Sequence, residues 1–569
     1  MAPAQDLVPL SSLSLETRRL GPLPLLNRFL ERLGIEALLE RFVPADARSR
    51  ISHARCLGVL LRSILVEREP VYRQAEVARA FAPEAFGLAS EELDHLDDDR
   101  VGRALDHLFD ADRGALLTEV SLALHREFGV AFERFHNDST SVRFCGQYAQ
   151  AAGRSIRGRK APFITYGYSK DHRKDLKQLL YILTTSGDGQ VPVAFRCEAG
   201  NASDSRTHVE TWDGLHALAG RADFLYVADS KLCSTEAMDH IDRKGGRFVT
   251  VLPRSRGEDP AFRRWIQTHD PAWETVRDRP NPRGRKRPRD VWRVWRSDVP
   301  SQEGWPLIWL SSSLLASRQA HSRRDRIDRA RQELGALERR LASPRSRIRK
   351  KREIHERLTR ILVGLKVTRY LRVKVAREDV HHFKQDGPGR PGSGTKYVRL
   401  TKHRFTLSWH VDEKIVEQDR RHDGMYPLIT NDRSLAPAAV LAAHKQQPRL
   451  ERRFCQLKDV FHIAPAFLKN EARIEALFLL YALALIVESL LEREIRRTME
   501  KEKLASIAIY PEERASARPT AAQVLRLFSH VERHELRSDG ASVKTIHPDL
   551  TSLQKEVLRL IDVPISAYR

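Results

Sequence analysis

Asp138 in FERFHNDSTSV, Asp229 in DFLYVADSKL and Glu451 in PRLERRFCQLKD are the residues of this chain best suited to carry chemistry. The first two sit at the ends of apolar, strand-like runs. The third stands on a charged helical segment with Lys458 two turns further on. Hydrolysis of a phosphodiester needs an activated water, a stabilised leaving oxygen and neutralised phosphoryl charge, and two divalent cations about 3.5–4 Å apart can supply all three. Mg²⁺ takes hard oxygen ligands and keeps several waters, so three carboxylates on rigid elements suffice to hold it. Mn²⁺ accepts the same ligands.

Read singly, each acid is ambiguous. An Asp at a strand end usually forms a turn or caps a helix, and a Glu in ERRFCQLK usually pairs with basic neighbours on a solvated face. Lys458 alone reads as a surface lysine. Asp423 and Asp432 compete for the third-acid position, but they lie in a turn-rich stretch without a lysine at matching spacing.

Composition points to a polyanionic partner. The 98 Lys+Arg against 75 Asp+Glu leave a net charge of +23 over 569 residues. A hydrophobic content of 41% is enough for real cores, which excludes a disordered basic tail. Cys56, Cys145, Cys197, Cys233 and Cys455 are scattered singly, without CxxC pairs, so a zinc site or disulfide framework is not expected and a reducing cytoplasm fits. The opening residues show no basic start followed by an apolar core. The most apolar stretch, Ala476 to Val487, is bounded by Glu475 and Glu488 and is shorter than the ~20 residues a bilayer requires. It reads as a buried core helix, and no membrane partner is expected.

The elements that must position the acids follow from periodicity. Residues 1–130 read as a helical N-terminal domain, a DNA-end-binding module or a plain bundle, with Asp99 as a helix cap. Residues 131–254 switch to strands, with a tight turn at Gly187-Asp188-Gly189, and then alternate strand and helix, which implies a mixed sheet with helices packed on it. Residues 255–424 interrupt that rhythm. They hold a basic Trp-bearing stretch around PRGRKRPRDVWRVW, a helical hairpin broken at Ser343-Pro344, and a Gly/Pro loop followed by strands. Helix returns over 425–502, and 503–569 reads as a helical C-terminal region with a start signal at Pro519-Thr520. Trp292, Trp295 and Trp409 suit core packing better than stacking on a displaced base.

The segments HNDSTSV, GQVPVAFRCEAGNASDSRTH, YVADSKL, DGMYPLITN, RLERRFCQLKD and NEARIEALFLLYALAL together resemble a DDE transposase of bacterial insertion sequences. The similarity is to the branch with a Y-x2-R-x3-E-x6-K signature and a large insertion between the second Asp and the Glu, and it extends from the helical N-terminal segment to Met499. Glu451 and Lys458 have the signature's spacing. His444 and Gln447 stand where the signature has Tyr and Arg, which leaves Arg449 or Arg452 to supply that phosphate contact.

The resemblance implies an α/β, ribonuclease H-like mixed sheet flanked by helices, interrupted by a large insertion, with helical N- and C-terminal regions. The first Asp would lie on the first strand, the second after the fourth strand, and the Glu on a helix beyond the insertion. It further implies that Asp138, Asp229 and Glu451 hold two Mg²⁺ ions, with Mn²⁺ as a substitute, and that Lys458, Arg452 and Arg449 contact DNA. The expected partners are transposon-end and target double-stranded DNA and a second subunit in a homodimer on paired ends. The expected location is the bacterial cytoplasm, associated with the nucleoid. Asn201 and Asp204 in GNASD fit loop capping at least as well as substrate contact. The alternatives are a structure-selective nuclease on the same fold and a catalytically silent, transposase-derived DNA-binding protein.

Overall fold

A computed structural model describes residues 13–569 except 47–48, 168–172, 174, 203, 282–283, 285–287, 344–345, 347, 349, 464–467 and 539–540. Most of the basic run 282–287, Pro344 of the expected hairpin break and Ser203 of GNASD therefore fall outside the described residues. The chain divides into two compact units, Met1–Thr250 with Ala442–Arg569, and Val251–Leu441.

In the first unit five strands lie in the order Pro192–Ala199, Lys177–Ser186, Arg134–Phe144, Leu225–Ala228, Arg247–Val251. The first three are antiparallel, the first two of them joined by the Gly187–Gln190 turn. The last two run parallel to the central strand Arg134–Phe144. This is the mixed sheet expected from the sequence, with the first acid on the first core strand and the second immediately after the fourth. Full burial of Leu179, Leu183, Tyr226 and Val227 follows from covering by helices on both faces.

One of those helices, Glu471–Lys501, is longer than the apolar stretch suggests. By length and composition it could cross a membrane, but 89% of its most apolar window is buried inside the protein, which makes it a core helix. It lies between the sheet and the N-terminal helices. The Tyr181 hydroxyl donates to the Phe478 carbonyl at 3.4 Å, and Arg113 and Asp106 of the N-terminal helices pair with Glu475 and Arg473 at 2.9 and 2.7 Å.

The N-terminal helices form as periodicity predicts, with one shift. Asp97, not Asp99, caps Asp98–Asp110 by accepting from the Arg100 amide. Three successive aspartates offer the same chemistry there, and position alone chooses among them. Thr520 caps Ala521–Leu527 in a capping box with Gln523, as expected. The terminal segments also hold a feature the helical reading misses. Leu13–Arg19 pairs antiparallel with Glu532–Ser538, which pairs with Ala541–Ile546, giving a three-stranded sheet built from both ends of the chain.

The second unit carries four antiparallel strands in the order Met425–Thr430, Leu307–Ser312, Asp290–Arg296, Glu274–Arg279. The expected helical hairpin comprises Ser313–Ala342 and Lys351–Gly364. Its buried residues Ile327, Leu334, Leu337, Leu341, Ile354 and Leu358 share a core with Leu371, Phe405 and Leu407 at the base of a long two-stranded ribbon, Leu371–Gln385 with Tyr397–Val411. The tryptophans pack: Trp292 is buried and donates to Asp290 at 2.9 Å, Trp295 stacks on Trp265 with ring centroids 5.1 Å apart, and Trp409 lies against the hairpin core.

Candidate active site

Parallel pairing brings the two aspartates together. Arg134 to Asn137 register with Leu225 to Ala228, so the next residue on each strand is Asp138 and Asp229. Adjacent strands run about 4.8 Å apart, and residues at equal steps in a parallel register point to the same face. Asp138 lies where its strand loses the parallel neighbour but keeps the antiparallel one, with Leu183 opposite. Asp229 is the first residue beyond its strand. The two aspartates thus sit side by side, Asp229 just past its strand and Asp138 within its own: the strand read from the sequence as ending at Asp138 continues to Phe144, held by its antiparallel neighbour.

Each aspartate is also oriented by its own backbone. The Ser139 amide donates to an Asp138 oxygen at 2.7 Å, and the Lys231 amide donates to an Asp229 oxygen at 3.1 Å. The Thr250 hydroxyl donates to the Asp229 carbonyl at 2.5 Å. His208, buried on the helix Asp204–Ala219, places its Nε2 4.0 Å from Asp229 while its Nδ1 lies 3.0 Å from the Tyr226 hydroxyl. His208 was not singled out from the sequence. It belongs to the segment ending SDSRTH, whose spacing from Asp229 gives no hint of contact.

Glu451 is on the helix Gln447–Cys455, which crosses the sheet and is fastened at both ends. At its start, the Gln447 side-chain amide donates to the Asn137 carbonyl at 2.7 Å, one residue before Asp138. The His136 ring sits 3.1 and 3.2 Å from the amide oxygens of Gln447 and Gln446, and burial holds its pKa down to about 4, so the imidazole is neutral near pH 7. His136 and Asp138 are two residues apart on one strand and so share the face that the helix covers. At the other end, buried Arg453 donates to the carbonyls of Gly189 and Gln190, at 2.9 and 3.0 Å, and to Glu492 at 2.9 Å.

Residues four apart on a helix face are about 5–6 Å apart. Glu451 therefore stands one turn beyond the residue docked at Asn137, and its side is solvent-exposed. Gln447, at the position of the signature's Arg, here holds the helix onto the strand. Lys458 lies half-buried in the single π-helical turn Gln456–Val460 that follows, so its angular position differs from that of a residue two regular turns on.

The competing acids have other occupations. Asp423 is buried in a bidentate pair with Arg323. Asp432 accepts from the amide and hydroxyl of Ser434 within its own turn.

Arg449 and Arg452, on the Glu451 helix, line a cavity of about 220 Å³ with Arg453, Arg496 and Arg518. Glu492 is the acid in that lining, and it is spanned by Arg453 and Arg496 at 2.9 and 3.3 Å. Arg496 also donates to the Pro519 carbonyl, at 2.7 and 3.0 Å, which ties the C-terminal segment to the long helix. Burial, together with the Arg518 and Arg452 guanidiniums, pushes the Arg449 pKa down. The cavity is an excess of positive charge, and an oxyanion is its natural complement.

Among the described residues, no three His, Cys, Asp or Glu side chains form a ready-made cage for a metal ion. Carboxylates from two neighbouring strands and a helix, all hard oxygen donors without thiolates, nevertheless suit Mg²⁺ or Mn²⁺, which complete their shells with water and substrate oxygens.

A transposase DDE domain model matches residues 134–487, more than half of the chain and all three acids. This chain belongs to the DDE transposase domain family. A domain of unknown function, DUF4277, matches residues 15–122, the N-terminal helices of this transposase-family protein. Comparison with curated proteins gives no match. Among solved structures, one similar chain is that of the piggyBac transposase synaptic complex with hairpin DNA, solved by cryo-EM. It is 10% identical over 51% of this chain and 60% of that one, with a TM-score of 0.25, too low to transfer any geometry.

Proposed function

We propose that this protein binds the terminal inverted repeats of its element, cleaves DNA phosphodiesters by metal-assisted hydrolysis and joins the resulting 3′-OH ends to target DNA. The observation that carries this reading is the placement of Asp138 and Asp229 at equal steps on neighbouring parallel strands, with the Glu451 helix docked through Gln447 to the residue preceding Asp138.

Asp138, Asp229 and Glu451 hold two Mg²⁺ ions, or Mn²⁺ in their place. When bound, the cations supply an activated nucleophile and neutralise charge on the phosphoryl oxygens. The backbone amides of Ser139 and Lys231 fix the aspartate rotamers, and His208 backs Asp229 from the buried side. Arg449, Arg452 and Lys458 contact DNA phosphates beside the acids, and Arg518, reaching the same cavity from the C-terminal segment, joins them. Two subunits act on paired ends.

The test is cleavage and joining of a duplex carrying the inverted repeat that borders the gene, with Mg²⁺. Asp138→Asn, Asp229→Asn and Glu451→Gln are each expected to abolish cleavage while end binding persists. Normal cleavage by any one removes that residue from the site. Cutting without joining favours a nuclease, and binding without cutting favours a silent DNA-binding protein.

A further inference from the structure

The ribbon of the second unit runs well past the core that holds its base. Leu371, Val373, Val375, Leu407 and Trp409 pack on the helical hairpin. From Ala376 to Gln385 the strand continues for ten residues, about 34 Å at 3.4 Å per residue. Over that length nearly every residue on both strands is exposed, on both faces. An isolated pair of strands is marginal in water, so a ribbon this long is built to be covered.

Its outer part carries large apolar side chains that a bare surface avoids: Phe383 and Tyr397 are 67% and 53% exposed, Leu400 42%. It also carries cations on both faces. The register puts Lys384 opposite Val398 and Lys402 opposite Val380 on one face, and Arg399 opposite Phe383 on the other. A ribbon lying in a groove of duplex DNA meets a phosphate wall on each side, and the major groove, about 12 Å wide, admits a two-stranded ribbon. A second copy of this chain, itself at +23, offers no such complement.

We propose that this ribbon is an arm that lies in a groove of target duplex DNA and holds it without regard to sequence. The inference rests on the transposase reading. Between Ala376 and Thr406 seven Lys and Arg face three Asp and Glu, an excess suited to phosphates of any sequence, and target duplex is the DNA that must be held that way.

The test is fluorescence anisotropy on the full chain with a random-sequence duplex over a range of salt, comparing wild type with the triple variant Lys384→Ser, Arg399→Ser, Lys402→Ser. The expected result is binding weaker by about tenfold, with a log–log salt slope shallower by about three. Cleavage of the inverted-repeat duplex should be unchanged, and Lys384→Arg with Lys402→Arg should bind as wild type does. Unchanged affinity and slope overturn the proposal. So does a fall in solution mass with DNA binding intact, which would assign the ribbon to a second copy, and so does an equal loss on inverted-repeat DNA. Failure of the wild type to bind any duplex would instead sink the transposase reading itself. Equal thermal melts of variant and wild type show that the fold is kept; should the triple variant melt early, the single exposed change Lys402→Ser carries the same test, with a slope shallower by about one.

Discussion

Aspartates in the two units of this protein meet different fates. In the second unit, Asp259, Asp290, Asp419 and Asp423 are buried and each is engaged by an arginine. In the first unit, Asp138 and Asp229 each lie one step past a shared parallel register, contacted by backbone amides and, for Asp229, by a histidine at 4.0 Å. A guanidinium neutralises a carboxylate permanently. A backbone N–H fixes a carboxylate's rotamer without cancelling its charge, which suits a cation ligand. Burial against a cation suits a structural acid; a place beside a second acid on a neighbouring parallel strand suits the ligand role proposed for Asp138 and Asp229.

The strongest way to break this contrast is exchange of carboxylate for amide in both settings. Asp229→Asn should lower cleavage by about a hundredfold or more while leaving the melting temperature nearly unchanged. Asp423→Asn should do the reverse, because it strands the Arg323 charge in the interior; a loss of about 3–5 kcal/mol in denaturant unfolding is expected, with cleavage per folded molecule retained. If Asp423→Asn proves silent in unfolding and inactive in cleavage, the division of roles collapses.

Glu488 sharpens the comparison as an acid that is buried without adequate pairing. Burial, then the nearby Glu492 carboxylate, raises its pKa to about 7. A folded-state pKa above the unfolded value of 4.5 means that the contribution to stability is full below about pH 4.5 and is lost as pH rises through 7. Glu488→Gln should therefore stabilise the protein by about 1–3 kcal/mol near pH 8 and by little near pH 5, read from paired thermal melts. A pH-independent effect would place the cause in packing.

The smallest effect concerns the cationic counterpart. Arg518→Ala should weaken binding to inverted-repeat DNA several-fold and reduce the salt slope by about one, without a change in the sequence preferred. A change confined to stability would make the arginine cavity a fold element only.

Much of the core was legible in the sequence because its signals are local. The runs leading to Asp138 and Asp229 read as strands, although the first continues past Asp138 to Phe144, the apolar spacing of Ile327 to Leu341 marks one helix face, and Thr520 announces its helix. What was not legible depends on partners distant along the chain. LSLETRR is too short and polar to declare a strand until Glu532–Ser538 lies beside it. His208 acquires its place only when the helix that bears it packs beside Tyr226, and Arg518 reaches the cavity only through the bond from Arg496 to Pro519. Gln447 stands at a position where resemblance expects arginine, and only its bond to Asn137 explains the exchange.

The small sheet made from both extremities has a bearing on how the molecule is born. Thr17 and His534 lie 517 positions apart yet touch, their side chains 2.8 Å from one another. At about 5–20 residues per second on the ribosome, the leading strand waits roughly half a minute or more for its companion to emerge. Until then its pairing edge stays open to solvent and to chaperones, and the first unit cannot close. Emergence of Glu532–Ser538 thereby becomes a checkpoint for the small sheet.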